Sequence, residues 1–259
     1  METHKKYKLT DECITIDNKT LYRIEAIKDF GSVKKGSKGG FVESEKNLAQ
    51  YGNCWIYDDA KVYDNAYIYD DAIVSDYAQV YNNAEVSIEA KVKGSADVYD
   101  NAVITRNAII HGNAKVHGDA LVCNNAIVSS NAHVFNNAQI YDNAKILGNA
   151  LIYGRAKIGG NTVISDNVEV YKTAVIFGNA NIIGNSKITS ISDYIVFKNW
   201  WSSGRYFTWT RSNNMWSVGC FYGTGEELIT KAYEDSRLSG IEYERIVKYV
   251  ESILKDNKQ

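Results

Sequence analysis

Residues 56–79 read IYDDAK, VYDNAY, IYDDAI and VSDYAQ. Cut every six residues, the chain keeps this register without a gap to IIGNSK at 182–187. Position one is Ile or Val in all 22 hexads, and position five is Ala in 19, the exceptions being Thr162, Val168 and Ser186. Position four is Asn in 14. Plain strand alternation would turn every second residue inward. Here only one large and one small residue per hexad are apolar in every copy, so a turn must interrupt each short strand. A β-branched residue suits a pleated, buried wall, and alanine lets neighbouring walls approach. Asn tolerates unusual backbone angles near turns and can form amide ladders between stacked strands.

The outward positions set the number of hexads per turn. Position two of every third hexad reads Tyr63, Tyr81, Tyr99, His117, Phe135, Tyr153, Tyr171, one ring every 18 residues. The other two phases are mixed at this position. A three-sided turn of 18 residues accounts for this, with residues 18 apart stacked at the strand spacing of about 4.8 Å. The hexads then make about seven turns and a rod of roughly 35 Å. The chain has no proline, as a structure built on strand ladders requires, because proline cannot donate a ladder hydrogen bond.

The I/V-x-x-N-A-x pattern resembles the hexapeptide repeat of left-handed β-helix proteins, whose best-known members are trimeric acyltransferases. GGFVESEKNLAQYGNCWIYDDA at 39–60 is similar to the start of the coil in a narrower group of uncharacterised bacterial and phage-borne proteins, often labelled acyltransferases. VGCFYGTGEEL at 218–228 resembles a tail domain of phage-associated members. The resemblance implies a left-handed coil and a homotrimer.

The expected fold is mainly β: a single-stranded parallel β-helix over 56–189, a β-rich N-terminal cap over 1–55 and a small α+β unit over 190–259. A solenoid exposes open strand edges at both ends and needs caps. In the first cap YKL, CITI, LYRIEAI and GGFVES read as strands, with turns at Asp17-Asn18 and Gly39-Gly40. In the last unit YIVFKNWW, RYFTWTR and MWSVGCF read as three strands. Thr224 and Glu227 have capping-box spacing for a helix. Ile246, Val247, Val250, Ile253 and Leu254 form the apolar face of a second. Trp200, Trp201, Trp209 and Trp216 all lie in this unit and read mainly as its core.

The net charge is −2 with both signs interspersed, which leaves no electrostatic footprint for nucleic acid. No stretch approaches the roughly 20 apolar residues needed to cross a bilayer, and METHKKYKLT carries no signal-length apolar run. Cys13, Cys54, Cys123 and Cys220 show no close pairing, so reduced thiols and a cytoplasmic setting are expected. Gly36-Ser37-Lys38-Gly39-Gly40 lacks Walker spacing and reads as a turn.

Two functions fit the residues. In the first, the rod is a non-catalytic scaffold without cofactor. It is phage- or prophage-encoded and acts through contacts with a protein partner, a host system being one candidate target. Its binding surface is the aromatic column Tyr63, Tyr81, Tyr99, His117, Phe135, Tyr153, Tyr171. Self-association uses apolar rows on the other faces, Ile73, Ile109, Ile127 and Val163 on one, and Val103, Leu121 and Val175 on the next. In the alternative, implied by the resemblance, the protein is an acyltransferase using acetyl-CoA or another acyl-CoA, with His111 or His117 as general base. His4 lies in the N-terminal tail. Two features weigh against catalysis. No loop interrupts the coil, and no carboxylate stands at a recognisable spacing from either histidine, Asp119 occupying an Asn-type position.

Overall fold

The computed structural model describes residues 5–256. Its centre is a parallel β-solenoid of about eight turns. Strands β1 (Tyr7–Ile16), β2 (Lys19–Ala26) and β3 (Lys38–Val42) precede it. The coil strands β4 to β26 are two residues each. They begin with Trp55–Ile56, Lys61–Val62 and Tyr67–Ile68, and recur every six residues to Lys187–Ile188. Residues pair with partners 18 apart, as in Lys61↔Gln79 and Val62↔Val80. The second residue of each coil strand and the alanine of each hexad fill the core.

The corners divide the labour differently from the sequence expectation. The left-handed residue is position three, in every hexad, with φ of 54–83°. Asp, Asn and Gly dominate there, as left-handed backbone favours. Asn at position four instead runs side-chain ladders. Asn107, Asn125, Asn143, Asn161 and Asn179 link in series at 3.1–3.2 Å. Carboxylates at position three have a separate use: six of the seven, all but Asp70, accept the N–H of the corner one turn on. Asp76 serves Gly94 at 2.7 Å, Asp100 serves Gly118 at 3.1 Å and Asp142 serves Gly160 at 3.0 Å. At Gly118 the stacking is close, and a Cβ there would lie 2.7 Å from the Asn136 nitrogen. Ile88 is the misfit, a β-branched residue at φ 61°.

The coil has a direction, and so do its caps. Each turn donates N–H groups to the carbonyls of the next, as Lys61 does to Ala78 at 2.9 Å. The first turn therefore presents free carbonyls and the last presents free N–H groups. Donor side chains close the first end. Lys6, 1% exposed, gives its ammonium to the carbonyls of Cys54 at 2.9 Å, Tyr51 at 3.1 Å and Gly52 at 3.2 Å. Arg23 reaches the Asp58 carbonyl at 3.0 Å, and the Asn47 amide reaches those of Asp64 and Ala66 at 3.0 and 2.9 Å. Hydroxyl oxygens close the other end. Thr208 accepts from the Asn181 N–H at 2.9 Å, and Ser212 from Lys187 at 2.7 Å.

At the N-terminal side, β1 and β2 are antiparallel neighbours turned at Asp17 and Asn18, both with positive φ. YKL and CITI belong to one strand, β1, with a register shift between Leu9 and Cys13. Gly39 and Gly40 are not a turn. They lie inside β3, where a Cβ on Gly39 would sit 2.6 Å from the Ile56 oxygen. The turn falls earlier, at Gly36 with φ 85°. β3 joins the coil in parallel through Phe41↔Lys61 and Val42↔Val62, so parallel stacking reaches back into the segment expected as cap.

After the coil come β27 (Tyr194–Lys198), β28 (Tyr206–Thr210), β29 (Met215–Val218) and β30 (Phe221–Gly223), an antiparallel sheet of four strands. The expected three become four because MWSVGCF turns at Gly219, φ 60°. Helices α1 (Gly225–Asp235) and α2 (Arg237–Asp256) follow. The Thr224–Glu227 capping box forms. Phe207, Trp209 and Trp216 pack with Leu228, Val247 and Val250, while Trp200 is 72% exposed.

Candidate functional site

Position two follows the inward Ile or Val, so its side chain leaves the rod just where the strand ends. The 18-residue register then places copies over one another. From Tyr63 through Tyr81, Tyr99, His117, Phe135 and Tyr153 to Tyr171, successive ring centroids lie 4.5–5.2 Å apart, with planes within 2–6° of parallel. The ring faces cover each other, so from Tyr81 to Tyr171 the column presents ring edges outward, whereas Tyr63, 5% exposed, is packed beneath Leu21 and Phe41 and is not part of an open surface. Burial pushes the Tyr63 phenol up to about 12 and also raises Tyr81 and Tyr99. These three phenols are therefore uncharged at neutral pH.

His117 sits between Tyr99 and Phe135. Its Nδ1 is 3.6 Å from Oδ2 of Asp100, an electrostatic contact rather than a full hydrogen bond at that length. Asp100 is itself fixed, accepting from the Gly118 N–H at 3.1 Å and from the Asn82 amide at 3.2 Å. Burial lowers the His117 pKa below its ordinary value, Asp100 opposes this, and Lys115 adds to it. His133 is lowered by burial and by Lys115 and His117. The middle of this face thus gathers His117, His133, Asp100 and Lys115, with Asp97 3.7 Å from Lys115. A shallow polar groove lined by Asn82, Asn83, Asp100, Asn101 and Gly118 runs along the adjoining corner.

The expectation of no orienting carboxylate is corrected here. Asp100 precedes His117 by 17 residues, a spacing absent from linear catalytic motifs. In an 18-residue coil, however, position three of one turn lies beside position two of the next. The repeat arithmetic contained that signal. Asp119, the carboxylate nearest in sequence, accepts instead from the amides of Asn101 and Asn137 in the corner ladder.

His111 stands apart from this group. Its hexad feeds a different side of the coil from that of His117, and it is lowered by burial and by Lys93. His4 lies outside the described residues. The apolar rows occupy the two remaining sides, half-buried and interrupted. Ile73, Ile109, Ile127 and Val163 share theirs with Lys91 and Lys145. Val103, Leu121 and Val175 share theirs with Glu85, Gln139 and Lys157. The contiguous apolar pairs are Ile109–Ile127 and Val103–Leu121. Among the described residues no helix is long and apolar enough to cross a membrane.

No family model matches the chain. A protein of Escherichia coli (strain K12) described as the uncharacterized acetyltransferase YdcK is similar to it, 44% identical over 62 residues. That stretch covers 21% of this chain and 19% of YdcK. With the 18-residue turns, the likeness supports a hexapeptide-repeat β-solenoid.

Proposed function

We propose that the chain is an acyltransferase of the hexapeptide-repeat type, drawing acyl groups from a coenzyme A thioester, with His117 as general base. The observation that carries this reading is the His117–Asp100 contact at the edge of a polar groove. The name of the similar E. coli protein points the same way. A lowered pKa keeps the imidazole neutral near pH 7, as a base requires. The ring stack fixes its plane. Asp100 favours the tautomer with the proton on Nδ1, leaving the Nε2 lone pair on the outer edge. Nε2 takes the proton of an acceptor amine or hydroxyl as that atom attacks the thioester carbonyl. The C–S bond breaks, and the departing thiolate takes the proton back.

The grooves described along the coil are shallow, open and polar, and do not enclose a donor. In this reading it lies between copies packed through the Ile109–Ile127 and Val103–Leu121 patches, and a homotrimer is part of the proposal. The test uses His117→Phe, which keeps a ring in the stack. Calorimetry with acetyl-coenzyme A and thiol release with amino-sugar and polyamine acceptors are the readouts. The variant should bind the donor while losing transfer by about 10²–10⁴-fold, the usual contribution of a general base. Undiminished transfer in the variant, or no donor binding by the assembled wild type, refutes it.

A second reading keeps the rod as a non-catalytic binding scaffold, phage-borne and cytoplasmic, working through the aromatic face. Its favouring observation is that coil strands follow at six-residue intervals from Trp55 to Ile188 with no inserted loop. Capture of a host protein lost on Tyr81→Ala/Tyr99→Ala/Phe135→Ala, with no thioester turnover, would select it.

A further inference from the structure

The C-terminal unit holds a cleft unrelated to the coil. It has a volume of about 320 Å³ and opens between the loop after β27, the β29–β30 turn and the two helices. Its floor is apolar, from Val218, Phe221, Leu228 and Ala232. Buried polar groups line the inner wall. Asn199, 4% exposed, donates to the Tyr243 hydroxyl at 3.3 Å and accepts from the Ser202 N–H at 2.9 Å, which folds the loop into a fixed edge. The charged lining groups are Arg205, Lys231 and Asp235.

Neither Arg205 nor Lys231 forms an ion pair among the described residues, although twelve such pairs occur elsewhere. The exposed Arg205 guanidinium lies close to the β29–β30 turn. A Cβ on Gly219 would lie 3.3 Å from its Nη1, so glycine leaves room for it. Arg205 also acts electrostatically on Tyr243, inside the cleft. Two uncompensated cations against one carboxylate, above an apolar floor, make a site with a charge preference and a hydrophobic seat. Pockets of this size, mostly apolar with a few fixed polar groups, are the usual form of small-ligand sites.

We propose that this cleft binds a small organic anion, a carboxylate or phosphate ester whose charge meets Arg205 and Lys231 while its apolar part rests on Phe221 and Leu228. Cys220 lines the same cleft and is exposed, so its alkylation reports occupancy. The experiment follows iodoacetamide labelling of Cys220 in the full chain, read peptide by peptide, against benzoate, phenyl phosphate and neutral benzyl alcohol. Saturable protection of at least about threefold is expected from one or both anions in the millimolar range, and none from benzyl alcohol. Which anion protects better distinguishes carboxylate from phosphate. Arg205→Gln/Lys231→Gln should abolish protection at an unchanged melting temperature, and Lys231→Arg should retain it. Absence of protection by either anion in the wild type overturns the proposal. So does equal protection by benzyl alcohol, or protection surviving in the double variant.

Discussion

Replacing Lys6 by methionine tests whether the first turn is held by a buried cation. Methionine keeps most of the length and apolar volume of lysine while removing the charge and all three donors. The three carbonyls then fare differently. Tyr51 and Gly52 lie in an exposed stretch, so their oxygens regain water. The Cys54 carbonyl is buried with its residue and has no turn beneath it to donate. A stranded buried acceptor costs about 1–3 kcal/mol, and a hydrogen bond to a charged group contributes about 1.5–3 kcal/mol. Against this, methionine is spared the desolvation of an ammonium, several kcal/mol, the same burial that lowers the Lys6 pKa. Taking the lost charge-assisted hydrogen bonds and the spared desolvation as cancelling, the net loss is about 2 kcal/mol, that of the single stranded carbonyl. Hydrogen exchange should show it as faster opening at 54–59 and in the paired 72–76, with 150–180 unchanged, because a solenoid's stability is a sum of near-neighbour terms. A variant whose first turn exchanges within about 0.5 kcal/mol of wild type refutes the cap.

Three further outcomes follow from the geometry. Tyr99 has ring neighbours on both faces and Tyr171 on one, so Tyr99→Ala should cost about 1 kcal/mol more than Tyr171→Ala; equal losses in denaturant titrations would count against stacking as a source of stability. His117 has a folded pKa below its ordinary value. Its contribution is therefore present above about pH 6.5 and lost as pH falls through the folded pKa. His117→Phe should accordingly melt less acid-sensitively than wild type between pH 7 and 5, and parallel pH profiles would contradict the assignment. Ile88→Asn, at φ 61° and 41% exposure, should stabilise by about 1 kcal/mol in thermal melts by relieving left-handed strain; a loss would mean that the isoleucine is held there by packing.

Much of the coil is legible in the hexads because burial has a strict period. Ile or Val and Ala recur at fixed positions, and the aromatic column alone gives the 18-residue turn. The corners are harder to read. Asn at position four suggested left-handed backbone, yet that conformation belongs to position three, whose mixture of Asp, Gly and Asn hides one geometric demand. The Asp-then-Gly pairs 18 apart are visible once the turn length is known. The candidate site was half legible. His117 stands out in the column, but Asp100 becomes its neighbour only through stacking.

The amino-acid sequence by itself determined the repeat, its period and the column of rings, because each depends on residues a constant number apart. Tertiary structure alone decided the ends and the site. The direction of the ladder leaves carbonyls bare at one end and N–H groups at the other. Lys6, Arg23 and Asn47 meet the first, and Thr208 and Ser212 meet the second. No periodicity marks these residues, since each acts once, across a distance set by how the caps fold back on the rod.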